Sequence, residues 1–214
     1  MKKIVLGLVV LAGLATTIQA KHYRKHRVNI EPLSSTTFRL TDINHQKPHI
    51  VNLKGKDFFV ISVREPGSDG RVYAVDRDGT IWWSGRISSG AGGGYLTRKG
   101  KKLVPSGGHE TNNNLFHVLA KRRFHMSKTH PSHNGVNNMD YEIQFTPDGQ
   151  ALHLGNTKMM SHGCIHVGRD DITPLFSWAK VGMPVVVMRG NYHRFLSQEI
   201  NEFKNDIDNY SQGN

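Results

Sequence analysis

Between Phe58 and Met188 the chain is a succession of short β-branched and aromatic runs separated by glycine- and proline-based turns. That pattern restricts the fold more than any other property of the sequence. Phe58-Phe59-Val60-Ile61-Ser62-Val63 is one such run. Val72-Tyr73-Ala74-Val75 and Thr80-Ile81-Trp82-Trp83 flank Asp78-Gly79, two residues that tolerate positive φ and therefore predict a hairpin. Residues 141–146 alternate polar and apolar side chains, turn at Pro147-Asp148-Gly149 and resume at Ala151-Leu152-His153-Leu154. Pro184-Val185-Val186-Val187-Met188 reads as a buried closing strand. One helix is expected among them, from Ile172 to about Lys180, capped by Asp170-Asp171, with Pro174 in its first turn and Gly182 stopping it. The domain is expected to be mainly β.

The two ends differ from this middle. Met1-Lys2-Lys3, a short apolar run to Ala15 and a small residue at Ala20 read as a signal peptide over residues 1–20. The apolar run is shorter than the roughly 20 residues a spanning helix needs, so no transmembrane segment is expected in the mature protein. Residues 21–56 are basic, polar and histidine-containing, and read as a leader joining a short edge strand. After the strand-rich domain at 57–189, residues 190–214 carry Leu196, Ile200, Phe203, Ile207 and Tyr210 at helical spacing, which predicts an amphipathic C-terminal helix docked on the domain. Lys and Arg number 28 against 17 Asp and Glu, a net charge of +11; losing Lys2 and Lys3 with the leader lowers this by two, to +9. Such a protein favours anionic partners: cell-wall polymers with free carboxylates, membrane headgroups or nucleic acid. Export and the lack of a reading motif argue against nucleic acid.

The chain has one cysteine, in Ser161-His162-Gly163-Cys164-Ile165-His166. In an oxidising compartment a single cysteine cannot form an internal disulfide, which points to chemistry or to an inert buried thiol. Cysteine attacks as thiolate, and a free pKa of roughly 8.5 keeps it mostly protonated at neutral pH, so a neighbouring imidazole is needed to take the proton. Gly163, without Cβ, allows a sharp turn that presents backbone N–H groups to a substrate. Two chemistries fit. In one, His153, eleven residues upstream at a strand end, is the general base for Cys164. In the other, His162, Cys164 and His166 share one face of an extended strand and bind zinc with His153. Loss of activity on thiol alkylation, but not on chelation, separates the two.

These segments together resemble the L,D-transpeptidase catalytic domain, the YkuD-like family of bacterial cell-wall enzymes. The resemblance is carried by Ser161-His162-Gly163-Cys164-Ile165, by Asp148-Gly149-Gln150-Ala151-Leu152-His153-Leu154-Gly155 and by residues 139–145. Asp78-Gly79, residues 83–90 and residues 181–187 support it, so that it covers roughly residues 57–189. It implies a β-sandwich or barrel with a short helix after the cysteine motif. It also implies Cys164 as nucleophile, His153 as base, and an oxyanion hole from backbone N–H groups around His162, Gly163 and Cys164. A backbone carbonyl next to His153, that of Leu154, would orient the ring. Ser161, His166 and Tyr141 are the candidate substrate contacts. The implied substrate is the tetrapeptide stem of peptidoglycan, with release of D-alanine and transfer of the acyl group to an amine on another stem or on an anchored protein. No metal or organic cofactor is implied. A carboxypeptidase with water as acceptor, or a silent wall-binding domain, would share the same residues.

The chain departs from the family in three places. The loop between His153 and Ser161 is short, which should reshape the acceptor side. His166 stands where the family commonly has arginine, and a histidine is only partly charged near neutral pH. Val104-Pro105-Ser106-Gly107 stands in for a Thr-Pro-Thr-Gly turn and is followed by an unusual stretch at 108–114, read as a long solvated loop rather than a lid. His117, His125, His130 and His133 with Lys121-Arg122-Arg123 suggest a basic rim for acidic stems, or merely a solvated cationic face. Of Trp82 and Trp83, adjacent on a strand, at most one is free to stack on a sugar.

Overall fold

The computed structural model describes residues 31–40, 48–64, 70–90, 96–99, 102–105, 110–127, 137–190 and 193–199. Strands β1 (Glu31–Pro32), β2 (Thr37–Leu40) and β3 (His49–Asn52) precede β4 (Phe58–Arg64), β5 (Gly70–Val75) and β6 (Thr80–Ile87). Next come β7 (Leu96–Lys99), β8 (Lys102–Pro105), β9 (Asn114–His117), β10 (Ala120–Arg122), β11 (Met126–Ser127) and β12 (Asn137–Asn138). The chain continues through β13 (Glu142–Gln144), β14 (Ala151–Leu154), β15 (Ile165–Val167), helix α1 (Arg169–Trp178) and β16 (Pro184–Gly190).

Two sheets organise the molecule. The larger has six strands in the order β1-β6-β5-β4-β16-β9, and the smaller has four in the order β10-β13-β14-β15. They are joined at two corners. At one, the chain leaves β9 and enters β10 through Val118, whose N–H donates to Met183 O at 2.9 Å. At the other, Ser88 just beyond β6 bridges to His166 of β15, and Gly90 bridges to Ser161. The result is mainly β, a sandwich closed at its corners.

Strand alternation explains the apolar runs. Phe59, Ile61 and Val63 of β4, Val72 and Ala74 of β5, and Val185 and Val187 of β16 face a core shared with α1 and the small sheet. The intervening Phe58, Val60, Tyr73, Val75 and Val186 face a second core on the outer side. Central strands buried on both faces read as continuous apolar stretches rather than alternating ones.

In sequence, residues 21–56 read as a leader joining a short edge strand; β1 is an edge strand, and the described part of the segment beyond it also packs on the second core. Of that segment, 31–40 and 48–56 are described: β1 is the edge strand, pairing with β6, and Leu33, Phe38, Leu40 and Leu53 of the β1–β3 segment are buried against the large sheet. Residues 193–199 close the same face. Leu196 is buried, Phe195 meets Tyr73 edge-on at 5.0 Å, and Glu199 accepts from the Tyr73 hydroxyl at 2.6 Å. The signal peptide and the tail beyond residue 199 lie outside the described residues. Among the described residues no helix is long and apolar enough to cross a membrane.

Three local expectations change. Only Gly79 of the Asp78-Gly79 pair has positive φ, and the connection is a four-residue turn in which Asp76 Oδ1 accepts from the N–H groups of Asp78 and Thr80. The register beside it slips: Ala74 pairs with Trp83 but Val75 with Ile81. Trp82 is the extra residue of this bulge, and both indoles turn into the inner core, so neither is available to a sugar. Helix α1 starts three residues early, at Arg169. Gly168 is its N-cap, without a side-chain cap bond; Asp170 and Asp171 sit inside the first turn, and Pro174 lies beyond it. An interior proline costs a helix roughly 3 kcal/mol. Burial of Ile172, Leu175 and Trp178, each contributing roughly 1.5–3 kcal/mol, outweighs that.

Candidate active site

The small sheet sets out the site by register alone. Strand β15 runs parallel to β14, with His153 opposite His166. On the other side of β14, Ile143 pairs with Leu152, so Glu142 stands opposite His153 one step on, and Glu142 itself pairs with Arg122. Arg122, Glu142, His153 and His166 thus form one row across four strands. Side chains two residues apart along a strand share a face, so Cys164, two before His166, lies on the same face as His153 and diagonal to it. The thiol is partly exposed, whereas the His153 side chain is 3% exposed.

His153 Nδ1 lies 2.8 Å from Leu154 O. A carbonyl only accepts, so the neutral ring carries its proton on Nδ1 and leaves Nε2 with the lone pair a base needs. Burial, assisted by nearby His166 and His125, lowers the His153 pKa to about 4 against the weaker opposing pull of the Leu154 carbonyl. Burial raises the Cys164 pKa to about 11, the Glu142 and Asp148 charges adding to it and a backbone hydrogen bond at Ala151 opposing it. Both residues are therefore neutral at rest.

The turn carrying Cys164 is tightly held. Gly163 has φ +118°, and a Cβ there would lie 2.8 Å from Gln150 Nε2 and 3.0 Å from Glu110 O. Ser161 Oγ accepts from the Gly163 N–H at 3.0 Å and donates to Cys164 O at 2.5 Å. Ser161 is thus a buried brace within the turn rather than a side chain reaching out to substrate, and the Gly163 N–H has a partner of its own. His162 is exposed. Because Gly163, at φ +118°, breaks the extended run just before Cys164 and β15, His162 does not alternate with Cys164 and His166 along one strand. Among the described residues no group of three His, Cys, Asp or Glu side chains converges as metal ligands would.

His166 is half-buried. Its Nδ1 lies 3.2 Å from Asn156 O and 3.0 Å from Met159 O, and its ring meets that of His153 edge-on with centroids 5.0 Å apart. It pins the short loop between β14 and β15. Tyr141 has φ +57°; its ring is covered by the Arg123 guanidinium at 3.6 Å and meets Phe176 edge-on at 5.6 Å.

Of the expected basic rim, His117, Arg122 and Arg123 are exposed, while Arg122, Lys121 and His125 also contact groups of the protein itself. Arg122 Nη1 donates to buried Glu142 Oε2 at 2.7 Å, and Lys121 Nζ donates to Ala179 O at 2.5 Å. His125 Nδ1 also lies 2.8 Å from Glu142 Oε2, close enough for an ion pair but not aligned as a hydrogen bond. His130 and His133 lie outside the described residues.

Two residues here were not among the expected site residues: Thr111, 2% exposed, donates through Oγ1 to Gly163 O at 2.9 Å, and Gln150, expected only as part of a family segment, contacts the same turn. The described part of the stretch at 108–114 is therefore packed under the cysteine turn, not a solvated loop.

A family model for the L,D-transpeptidase catalytic domain (YkuD) matches residues 59–187. Among solved structures, an L,D-transpeptidase from Stackebrandtia nassauensis is 19% identical, covering 65% of this chain and 58% of that one, with a TM-score of 0.46. One from Xylanimonas cellulosilytica is 23% identical over 62% of this chain and 61% of that one, at 0.43. Mycobacterium tuberculosis L,D-transpeptidase 1 is 17% identical over 72% and 87%, also at 0.43. The chain spans about three fifths of the length of the first two. No curated protein sequence matched.

Proposed function

Because the chain belongs to the YkuD family of L,D-transpeptidase catalytic domains, we propose that it is an exported cysteine-dependent L,D-transpeptidase acting on peptidoglycan stem peptides in the periplasm or cell wall. The observation that supports this reading is the register of β14 and β15, with a mostly buried thiol diagonal to a buried neutral imidazole whose Nε2 keeps its lone pair. Cys164 is the nucleophile and His153 the general base. As the thiol adds to the carbonyl preceding a terminal D-alanine, its proton passes to His153 Nε2, which then returns it to the leaving amine. A thioacyl-enzyme remains, and the amine of a second stem, or of a wall-anchored protein, resolves it. With the Gly163 N–H held by Ser161, the Cys164 N–H is the oxyanion donor we assign first. The export signal at 1–20 and the net charge of +9 after its removal suit an anionic wall polymer.

The test is mass spectrometry of purified protein incubated with tetrapeptide muropeptides. Crosslinked dimers and a thioacyl adduct on Cys164 are expected, and both vanish in Cys164→Ala. Tripeptides alone would replace the transferase by a carboxypeptidase with water as acceptor. No product, with Cys164 unmodified, would leave a wall-binding domain without catalysis.

A further inference from the structure

We propose that Thr111 is a positioning residue that aims the Cys164 N–H at the oxyanion of the acyl-transfer step. This rests on Cys164 being the acyl acceptor in the function proposed above. The Thr111 side chain is buried, and its hydroxyl is fully committed: Oγ1 accepts from the Gly90 N–H at 3.0 Å and donates to Gly163 O at 2.9 Å. With the Gly90 N–H occupying one lone pair, the hydroxyl proton is directed to Gly163 O, its acceptor among the described residues. In a trans peptide the carbonyl and the following N–H point in opposite directions. Holding Gly163 O against Thr111 therefore turns the Cys164 N–H away from Thr111. At φ +118° Gly163 has no side chain to fix that peptide plane, so the plane needs an external partner.

The segment supplying the hydroxyl is itself pinned on both sides of residue 111. Gln150 Oε1 accepts from the Asn112 N–H at 2.9 Å while its Nε2 donates to Glu110 O at 2.9 Å. Arg189 Nη1 donates to Thr111 O at 3.3 Å and lies 3.1 Å from Glu110 Oε2. Hydrogen bonds with this many partners fix a rotor to a fraction of an ångström, the tolerance an oxyanion hole requires.

Two probes of the same thiol separate aiming from simple packing. Iodoacetamide is displaced at a saturated carbon and needs only the thiolate. With p-nitrophenyl acetate the Cys164 sulfur forms a bond to the carbonyl carbon and an oxyanion develops. The intermediate collapses by expelling nitrophenolate with the bonding electron pair, while the thiol proton passes to the base. In Thr111→Val, acylation of Cys164 is expected to slow by about 10- to 100-fold. Alkylation stays within about twofold of wild type, since no oxyanion forms in it. Thr111→Ser, which keeps the hydroxyl, restores acylation to within about threefold. If Thr111→Val does not fold, Thr111→Ala takes its place in the same comparison. A parallel fall of both rates would show a merely loosened turn and overturn the proposal, as would unchanged acylation, or a wild type alkylated but not acylated at Cys164. The predicted variant pattern without any muropeptide turnover by the wild type would instead retire the transpeptidase reading and leave this one standing.

Discussion

Burial works against charge on both members of the proposed catalytic pair, and it does so with opposite effects on their proton affinities. The His153 pKa falls to about 4 and that of the Cys164 thiol rises to about 11, so the resting site is a thiol beside a neutral ring, not a preformed ion pair. Two measurements follow from this. Iodoacetamide alkylation of Cys164 should keep accelerating as pH rises through 9 to 11; a plateau at neutral pH would show a stable thiolate. The second concerns stability. Between pH 6.5 and 4 the unfolded chain binds a proton at His153 that the folded chain does not, so this residue makes stability fall as pH drops through that window, by up to about 3 kcal/mol. In His153→Gln the term is gone. The acid-side fall in Tm should then be smaller than in wild type by about 6–12 °C, and equal falls would refute the buried neutral ring. At this scale Cys164 and His153 could be proposed from sequence because each stands in a local motif whose chemistry would need that residue type. Thr111 and Gln150 could not, since their roles come from contacts 52 and 40 residues apart with Gly163 and Glu110. A lone threonine or glutamine carries no trace of such a partner.

Strands β14 and β15 are parallel neighbours joined without a helix, through residues 155–164, a shorter connection than parallel strands usually require. Side chains and backbone contacts hold that loop in place of a helix. His166 Nδ1 faces the carbonyls of Asn156 and Met159, Ser88 Oγ donates to Met159 O, and the Ser161 N–H donates to Ser89 O. The His166 ring reaches its place by lying over Gly155, where a Cβ would come within 2.6 Å of two ring carbons. Gly155→Ala should therefore push the ring off the loop and cost about 1–3 kcal/mol in urea unfolding. The Gly155→Ala/His166→Ala pair should cost clearly less than the sum of the single changes, because the second removes the clash. Additive losses would mean that His166 does not pack there. The sequence made β14 legible, and the short connection too, but not the parallel pairing; alternation reports which face a residue takes, not the direction of its neighbour. Helix α1 was misplaced by three residues for a related reason. Asp170-Asp171 has capping chemistry, yet the packing of Ile172, Leu175 and Trp178 decides where the helix starts, and Gly168 supplies a backbone cap without any side chain.

At the scale of the whole molecule, the large sheet separates two cores with different duties. The inner one backs α1 and the small sheet that carries Cys164 and His153; the outer one is closed by the β2–β3 hairpin and by residues 193–199. The continuous apolar strands β4, β5 and β16 already required a cover on both faces. The composition of residues 21–56, polar and basic, concealed which segment provides it, because among the described residues of that region the buried apolar ones are only Leu33, Phe38, Leu40 and Leu53. Glu199 locks the cover from the other end of the chain. Its 5% exposed carboxylate accepts from the Tyr73 hydroxyl at 2.6 Å and lies 2.8 Å from Arg71 Nε, both on β5. Glu199→Ala would leave a buried phenol and a largely covered guanidinium without that acceptor, at a cost of about 1–3 kcal/mol. The proposed acyl-transfer site lies beyond the inner core, on the far side of the sheet from this contact. Glu199→Ala should thus lower Tm by about 2–12 °C while leaving kcat and KM unchanged at temperatures where the variant is fully folded. Glu199→Gln, which still accepts from Tyr73, should fall between the two. A loss of kcat in folded Glu199→Ala would show that the outer cover reaches the active site, and that the two cores are coupled rather than separate.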